Sequence, residues 1–266
     1  MDAGRTPRCL TIATSDSGGG AGVQADIKAF AAAGCHGSSV IVAVTAQNTI
    51  GVQHVHELPV PVIEAQFASV MDDIGADAIK TGALVSRTIV ETVAARLGVL
   101  RDAGALPPLV VDPVLHATAG GTLLDGAALD VMVHALLPLA TVVTPNDAEA
   151  RALAGGDGDR ATLAERIVAR GAAAVVITAG AGEPCDHLFD GQRHIDIPVD
   201  RVPSRATHGG GCTHSATMCA EMAKGSNLET AARRAASAAR AAIVNGVTDI
   251  GAGEGPVDVL GIEGRR

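Results

Sequence analysis

Apolar residues in this chain come in two alternating textures. Short unbroken runs predict strands: Leu10 to Ala13, Val40 to Thr45, Ala76 to Ile79, Leu109 to Val111, Thr141 to Thr144 and Ala174 to Ile177. The second run is dense in β-branched residues and reads as a strand buried on both faces. Between the runs, apolar residues recur at helical spacing. Gly22 to Ala33 carries Val23, Ile27, Phe30 and Ala31 on one face and stops at Gly34. Further helices are expected over Pro59 to Asp72 and about Thr88 to Arg101, and one capped by Asp125 carries Leu129, Met132, Val133 and Leu136 as far as Pro138. Ala161 to Arg170 and Ser215 to Lys224 follow, the latter with Ala216, Cys219, Ala220 and Ala223 as its core face. The last helix is Leu228 to Asn245, starting after Ser226 with Glu229 three residues on. Alternation around Asp190-Gly191 makes Cys185 to Val199 a hairpin. Strands alternating with helices, with no linker or repeat, predict one α/β domain over residues 1–266, its core at about 9–260. Its central, mostly parallel sheet is covered by helices on both faces.

Composition narrows the function. Hydrophobic residues make up 47% of the 266, but aromatics only 1%, so the core must be aliphatic. A formal net charge of −9 argues against a nucleic-acid backbone, and the missing aromatics remove stacking platforms. The five cysteines are odd in number and lack a C-x-x-C spacing, which predicts neither a disulfide framework nor a zinc knuckle. No apolar run suggests a signal core or membrane span, and the expected setting is cytoplasmic.

Ligands of such sheets sit beyond the carboxyl ends of the strands. Those ends carry Asp16, Gln47, Lys80, Asp112, Asn146 and Thr178. The run His208-Gly209-Gly210-Gly211-Cys212-Thr213 precedes a helix, and its amides and helix dipole make an anion site with phosphate the expected occupant. The alternative is a flexible connector. Cys212 sits where the same field would favour a thiolate; the alternative is an inert buried thiol. Asp26, three residues after Val23 and four before Phe30, projects at the edge of a buried face. It needs a partner, either an ion pair, with Lys28 or a neighbouring segment, or a ligand hydrogen bond. Asn146 and Glu149 have capping-box spacing, which is the structural alternative for Glu149.

Six stretches in order carry a resemblance. They are Ser15 to Lys28, Ala46 to Thr49, Lys80-Thr81-Gly82, Val111 to Val114, Thr144-Pro145-Asn146 with Glu149, and the His208 run. Together they resemble the hydroxymethylpyrimidine/phosphomethylpyrimidine kinases of thiamine biosynthesis, over about Leu10 to Val259. The resemblance implies a three-layer ribokinase-like fold and ATP- and Mg²⁺-dependent phosphorylation of 4-amino-5-hydroxymethyl-2-methylpyrimidine and its monophosphate. No C-terminal thiamine-phosphate synthase module is expected, and a homodimer is a family-level expectation. It further implies that Gln47, Asp26, Ala21 and Val114 form the pyrimidine pocket and that Asp112 and Glu149 organise Mg²⁺. Asn146, Thr178 and Gly180 would lie near the nucleotide, Gly209, Gly210 and Gly211 would form the anion hole, and Cys212 would stand at the base position.

The chain departs from the family pattern at Gly210, usually threonine, at Thr178 and Thr118, often lysine, and at Ala83 and Thr14, commonly methionine and glycine. These changes bear on the second phosphorylation and on the choice of alcohol. A pyridoxal-type kinase and a non-catalytic pyrimidine or nucleotide binder are the competing readings.

Overall fold

In the computed structural model, which describes residues 4–115, 124, 126–179 and 184–262, the apolar runs become strands of one nine-stranded sheet. The predicted cap Asp125, together with Thr118 and Gly180, lies outside the described residues. The chain opens with β1 (Arg8–Asp16), α1 (Gly22–Ala32), β2 (His36–Gln47) and β3 (Val52–Glu57). It continues through α2 (Val60–Ser69), β4 (Ala78–Thr81), α3 (Arg87–Asp102), β5 (Leu109–Val111), α4 (Gly126–Val131) and β6 (Val142–Val143). Then come α5 (Asp147–Ala154), α6 (Arg160–Ala169), β7 (Val175–Ile177), β8 (Cys185–Phe189), β9 (His194–Pro198), α7 (Gly210–Ala223) and α8 (Leu228–Val244). The strand order is β3-β2-β1-β4-β5-β6-β7-β8-β9. β2, β1, β4, β5, β6 and β7 pair in parallel, while β3, β8 and β9 add antiparallel edges. The order reverses between β1 and β4, which opens a crevice beyond their carboxyl ends.

Alternate residues of the central strands feed two cores, one on each face of the sheet. Leu109 and Val111 pack with Ile89, Leu97, Leu136, Leu153 and Ile167, whereas Val110 between them packs with Ala216, Cys219 and Ala232 from α7 and α8. Each fully buried aliphatic side chain contributes on the order of 1.5–3 kcal/mol. The second core is built largely of alanines, so small side chains bring α7 and α8 together where aromatics would hold them apart. Among the described residues no helix is long and apolar enough to cross a membrane.

Four expectations need correction. β2 is not buried on both faces: its carboxyl half pairs with β3, a mostly polar and exposed edge strand, and Val44 stays 40% exposed. β3 itself escaped notice because Gln53, His54 and His56 dilute its apolar signal. α7 starts at Gly210 rather than Ser215, because Gly209 caps it at φ 86° and Thr213 N already donates to Gly209 O. α8 is capped by Asn227, whose side chain accepts from Thr230 N, while Ser226 donates to Glu221 instead. Pro138 lies within a 3-10 turn, Leu137–Leu139, that continues the helical segment for one more turn.

Candidate active site

All six predicted strand ends, Asp16, Gln47, Lys80, Asp112, Asn146 and Thr178, line one cavity of about 270 Å³ at the crevice. Ala21, Val114, Glu149, Gly209, Gly211 and Cys212 line it too. A wider recess of about 700 Å³ adjoins it across Thr178, Ala179 and Gly211, with Gly210 on its wall.

Two glycine-bearing segments meet backbone to backbone at one end. A Cβ on Gly209 would stand 1.8 Å from Gly20 O, and one on Gly20 would stand 2.2 Å from His208 Cδ2. Asp16 ties this junction. Its carboxylate accepts from the amides of Gly18, Gly20 and Ala21 at 2.8, 3.1 and 2.9 Å, and from His208 Nε2 at 3.0 Å. Burial pushes the Asp16 pKa up, but the hydrogen bonds from His208 and the amides outweigh it and the net shift is downward. Gln47 is held at its backbone by Ser17 and presents its amide between Thr45 and His208, 3.3 Å from Thr45 Oγ1 and 3.5 Å from His208 Nε2.

The other signature glycines form the first turn of α7 rather than a loop ahead of it. The amides of Gly211 and Cys212 precede Thr213, the first intrahelical donor, and so remain open for an anion. At Gly210 an added Cβ would meet nothing closer than Ile243 Cδ1 at 3.6 Å, so the position has room for a side chain.

Asp26 does not line the cavity. It is fully buried beneath it, with Oδ1 2.6 Å from Lys80 Nζ and Oδ2 accepting from Thr11 Oγ1 at 2.6 Å. The partner that its position demanded is therefore Lys80, not Lys28, which donates to Gly19 O. Lys80 Nζ also stands 3.5 Å from Asp112 Oδ2. Burial alone would lower the lysine's pKa, but Asp26, Cys212 and Asp112 reverse this and raise it, keeping the ammonium charged. Burial likewise pushes Asp26 up against the pull of Lys80. The 2.6 Å contact and the Thr11 hydroxyl are those of an ionised pair. Among the described residues Lys80 is the one lysine or arginine lining the cavity.

Asp112 Oδ2 accepts from Ser215 Oγ at 2.8 Å, which fixes β5's carboxylate against the first turns of α7. Glu149 completes the capping box: Asn146 Oδ1 accepts from Ala148 N and Glu149 N, and Glu149 Oε2 accepts from Asn146 N at 2.9 Å. Its other oxygen accepts from Leu115 N at 3.3 Å. Burial and the neighbouring Asp112 charge push the Glu149 pKa up to about 7, and its hydrogen bonds come from amides, not from a cation.

Cys212 is half-buried in the cavity wall, where its surroundings oppose the expected thiolate. Burial and the charges of Asp112 and Asp26 push its pKa up to about 12, against the pull of Lys80 and the Gly22 amide. Desolvation thus exceeds the helix-end field. Thr14 donates through both N and Oγ1 to Ala83 O, so two of the positions that depart from the family pattern bind each other at the cavity edge. The sequence reading missed the site roles of His208, Thr45 and Ser215. Only His208 left a signal, as the residue that opens the glycine run.

Residues 16–258 match the family model described as phosphomethylpyrimidine kinase. Over 258 residues the chain is 45% identical to the hydroxymethylpyrimidine/phosphomethylpyrimidine kinase of Streptomyces coelicolor, covering 95% of this chain and 94% of that protein. Its structure is similar to the ADP complex of Bacillus subtilis pyridoxal kinase, with a TM-score of 0.86 and 33% identity, covering 97% of this chain and 99% of that one. It is also similar to Staphylococcus aureus pyridoxal kinase in complex with AMP-PCP and pyridoxal, with a TM-score of 0.85 and 34% identity, covering 96% and 94% of the two chains.

Proposed function

The chain belongs to the phosphomethylpyrimidine kinase family, and on that premise we propose that it transfers the γ-phosphoryl group of ATP to hydroxymethylpyrimidine and then to the monophosphate, in thiamine biosynthesis. The fold is ribokinase-like, and the enzyme is a kinase. The observation that carries the substrate reading is the Gln47 amide, presented into the same 270 Å³ cavity as the open amides of α7 and the Asp112–Glu149 carboxylates. An amide offers a donor and an acceptor side by side, which matches the edge of an aminopyrimidine. Ala21 and Val114 supply the apolar walls for its ring.

In the transfer, the alcohol oxygen forms a bond to the γ-phosphorus as the bond to the β-phosphate oxygen breaks and ADP leaves. The amides of Gly211 and Cys212 hold the equatorial oxygens, at a geometry set before the substrate arrives. Lys80, fixed by Asp26, places a positive charge under the reacting groups. Cys212 lines the cavity, and it is its thiolate, scarce at neutral pH because burial favours the neutral thiol, that takes the alcohol's proton. Asp112 and Glu149 fit Mg²⁺: Glu149 is a buried acid without a cationic partner beside a second carboxylate, and magnesium takes one or two carboxylates plus phosphates and water. Bound there, Mg²⁺ would neutralise charge on the phosphates. Asn146, Thr178 and the adjoining recess would take the rest of the nucleotide.

Product analysis with ATP, Mg²⁺ and, separately, hydroxymethylpyrimidine, its monophosphate and pyridoxal tests this. One transfer to each pyrimidine supports the reading. Faster turnover of pyridoxal, the ligand named for one structural neighbour, would displace it.

A further inference from the structure

The edge hairpin of β8 and β9 carries a pair of histidines that the kinase reaction does not use. His187 Nδ1 lies 2.7 Å from Asp196 Oδ1, and His194 Nε2 lies 3.3 Å from Glu165 Oε1 on α6. An ionised carboxylate only accepts, so each of these ring nitrogens carries its proton. With both rings neutral, the remaining nitrogens, His187 Nε2 and His194 Nδ1, face each other at 3.0 Å as two lone pairs. Two lone pairs at that distance repel unless a proton or a metal cation lies between or beside them.

We propose that His187 and His194 form a binding site for a borderline transition-metal ion of the Zn²⁺ type. Three features support it. Metal-bound histidines characteristically donate their other N–H to a carboxylate, and both rings already do so. Their spacing is within the span of two nitrogens on one ion at roughly 2.0–2.1 Å from each. Phe189 stacks on His194 with ring centroids 4.3 Å apart and planes 14° apart, which restrains that ring. Among the described residues no three such side chains converge on one point, so water completes the coordination. The ion would join β8, β9 and α6. On β8 the neighbouring residue, Asp186, accepts from Ala179 N at 2.6 Å, which links the clamp to the rim of the phosphate cavity.

The test is Zn²⁺ titration of the full chain against a chromophoric chelator, with excess Mg²⁺ present to occupy Asp112 and Glu149. The wild-type protein is expected to take up one Zn²⁺. His194→Gln, at an exposed position, is expected to lose that uptake, and His187→Gln to do the same. Glu165→Gln and Asp196→Asn are expected to weaken it about 10–100-fold. Cys185→Ser, the control for the half-exposed thiol on the same hairpin, is expected to bind as the wild type does. Uptake that survives His194→Gln, or disappears with Cys185→Ser, would overturn the site. So would the absence of uptake by the wild type, which would leave the pair holding a shared proton.

Discussion

Replacing Lys80 by methionine isolates the charge on which the floor of the cavity depends. The lysine is fully buried, 2.6 Å from Asp26 and 3.5 Å from Asp112. Methionine keeps most of the volume but leaves Asp26 as a carboxylate in an aliphatic interior, with only the Thr11 hydroxyl for company. Breaking one side of a buried pair costs about 3–5 kcal/mol. Against a total stability on the order of 5–15 kcal/mol, that is a large fraction. At about 2–4 °C per kcal/mol the melting temperature should fall by roughly 10 °C. The pH dependence has a definite sign. In the wild type the folded-state pKa of Lys80 is raised, so its stabilisation is present below the unfolded value and is lost only as strongly alkaline pH passes the folded value. In the variant the orphaned Asp26 has a raised pKa, so the penalty is smallest in acid and grows as pH rises above the unfolded carboxylate value of about 3.9. Urea denaturation at pH 5 and pH 8 should therefore show a larger loss at pH 8. The double variant Lys80→Met/Asp26→Leu should recover most of it, since apolar residues can replace a buried ion pair at little cost. A single variant within about 1 kcal/mol of wild type, or a double variant no more stable than the single, would refute an ionised pair at this position.

Three other outcomes are expected. Gly209→Ala should abolish phosphoryl transfer, because its Cβ would stand 1.8 Å from Gly20 O at a φ of 86°, whereas Gly211→Ala, with nothing within 4 Å, should fold normally; equal activity in the two would sink the cradle geometry. If Cys212 takes the proton with a pKa pushed up to about 12, kcat/KM should climb about tenfold per pH unit through the alkaline range, and the slope should vanish in Cys212→Ala; a wild-type profile that is flat above pH 7 would remove the thiol from the chemistry. Mg²⁺ should raise the melting temperature more at pH 8 than at pH 6, because Glu149, pushed up to about 7, is mostly protonated at the lower pH and mostly ionised at the higher; an equal rise at both would place the ion elsewhere.

Much of the fold and of the cavity was legible in the chain itself. Each parallel strand is a short aliphatic run, each run ends in a polar residue, and a parallel sheet sends all those ends to one edge, so Asp16, Gln47, Lys80, Asp112, Asn146 and Thr178 meet by topology alone. The capping box at Asn146 and the hairpin at Asp190-Gly191 were likewise readable, because their partners lie within a few residues of each other. Tertiary structure alone decided which charges meet and what state they hold. Asp26 found Lys80 across 54 residues, and His208 found Asp16 across 192. The helix-end field that would ionise Cys212 is a local property, whereas the burial and distant carboxylates that keep it neutral are contributed by other elements of the fold. Periodicity and capping depend on near neighbours and are written in order along the chain; desolvation and charge pairing depend on whatever the fold packs alongside, and exist only once the layers close.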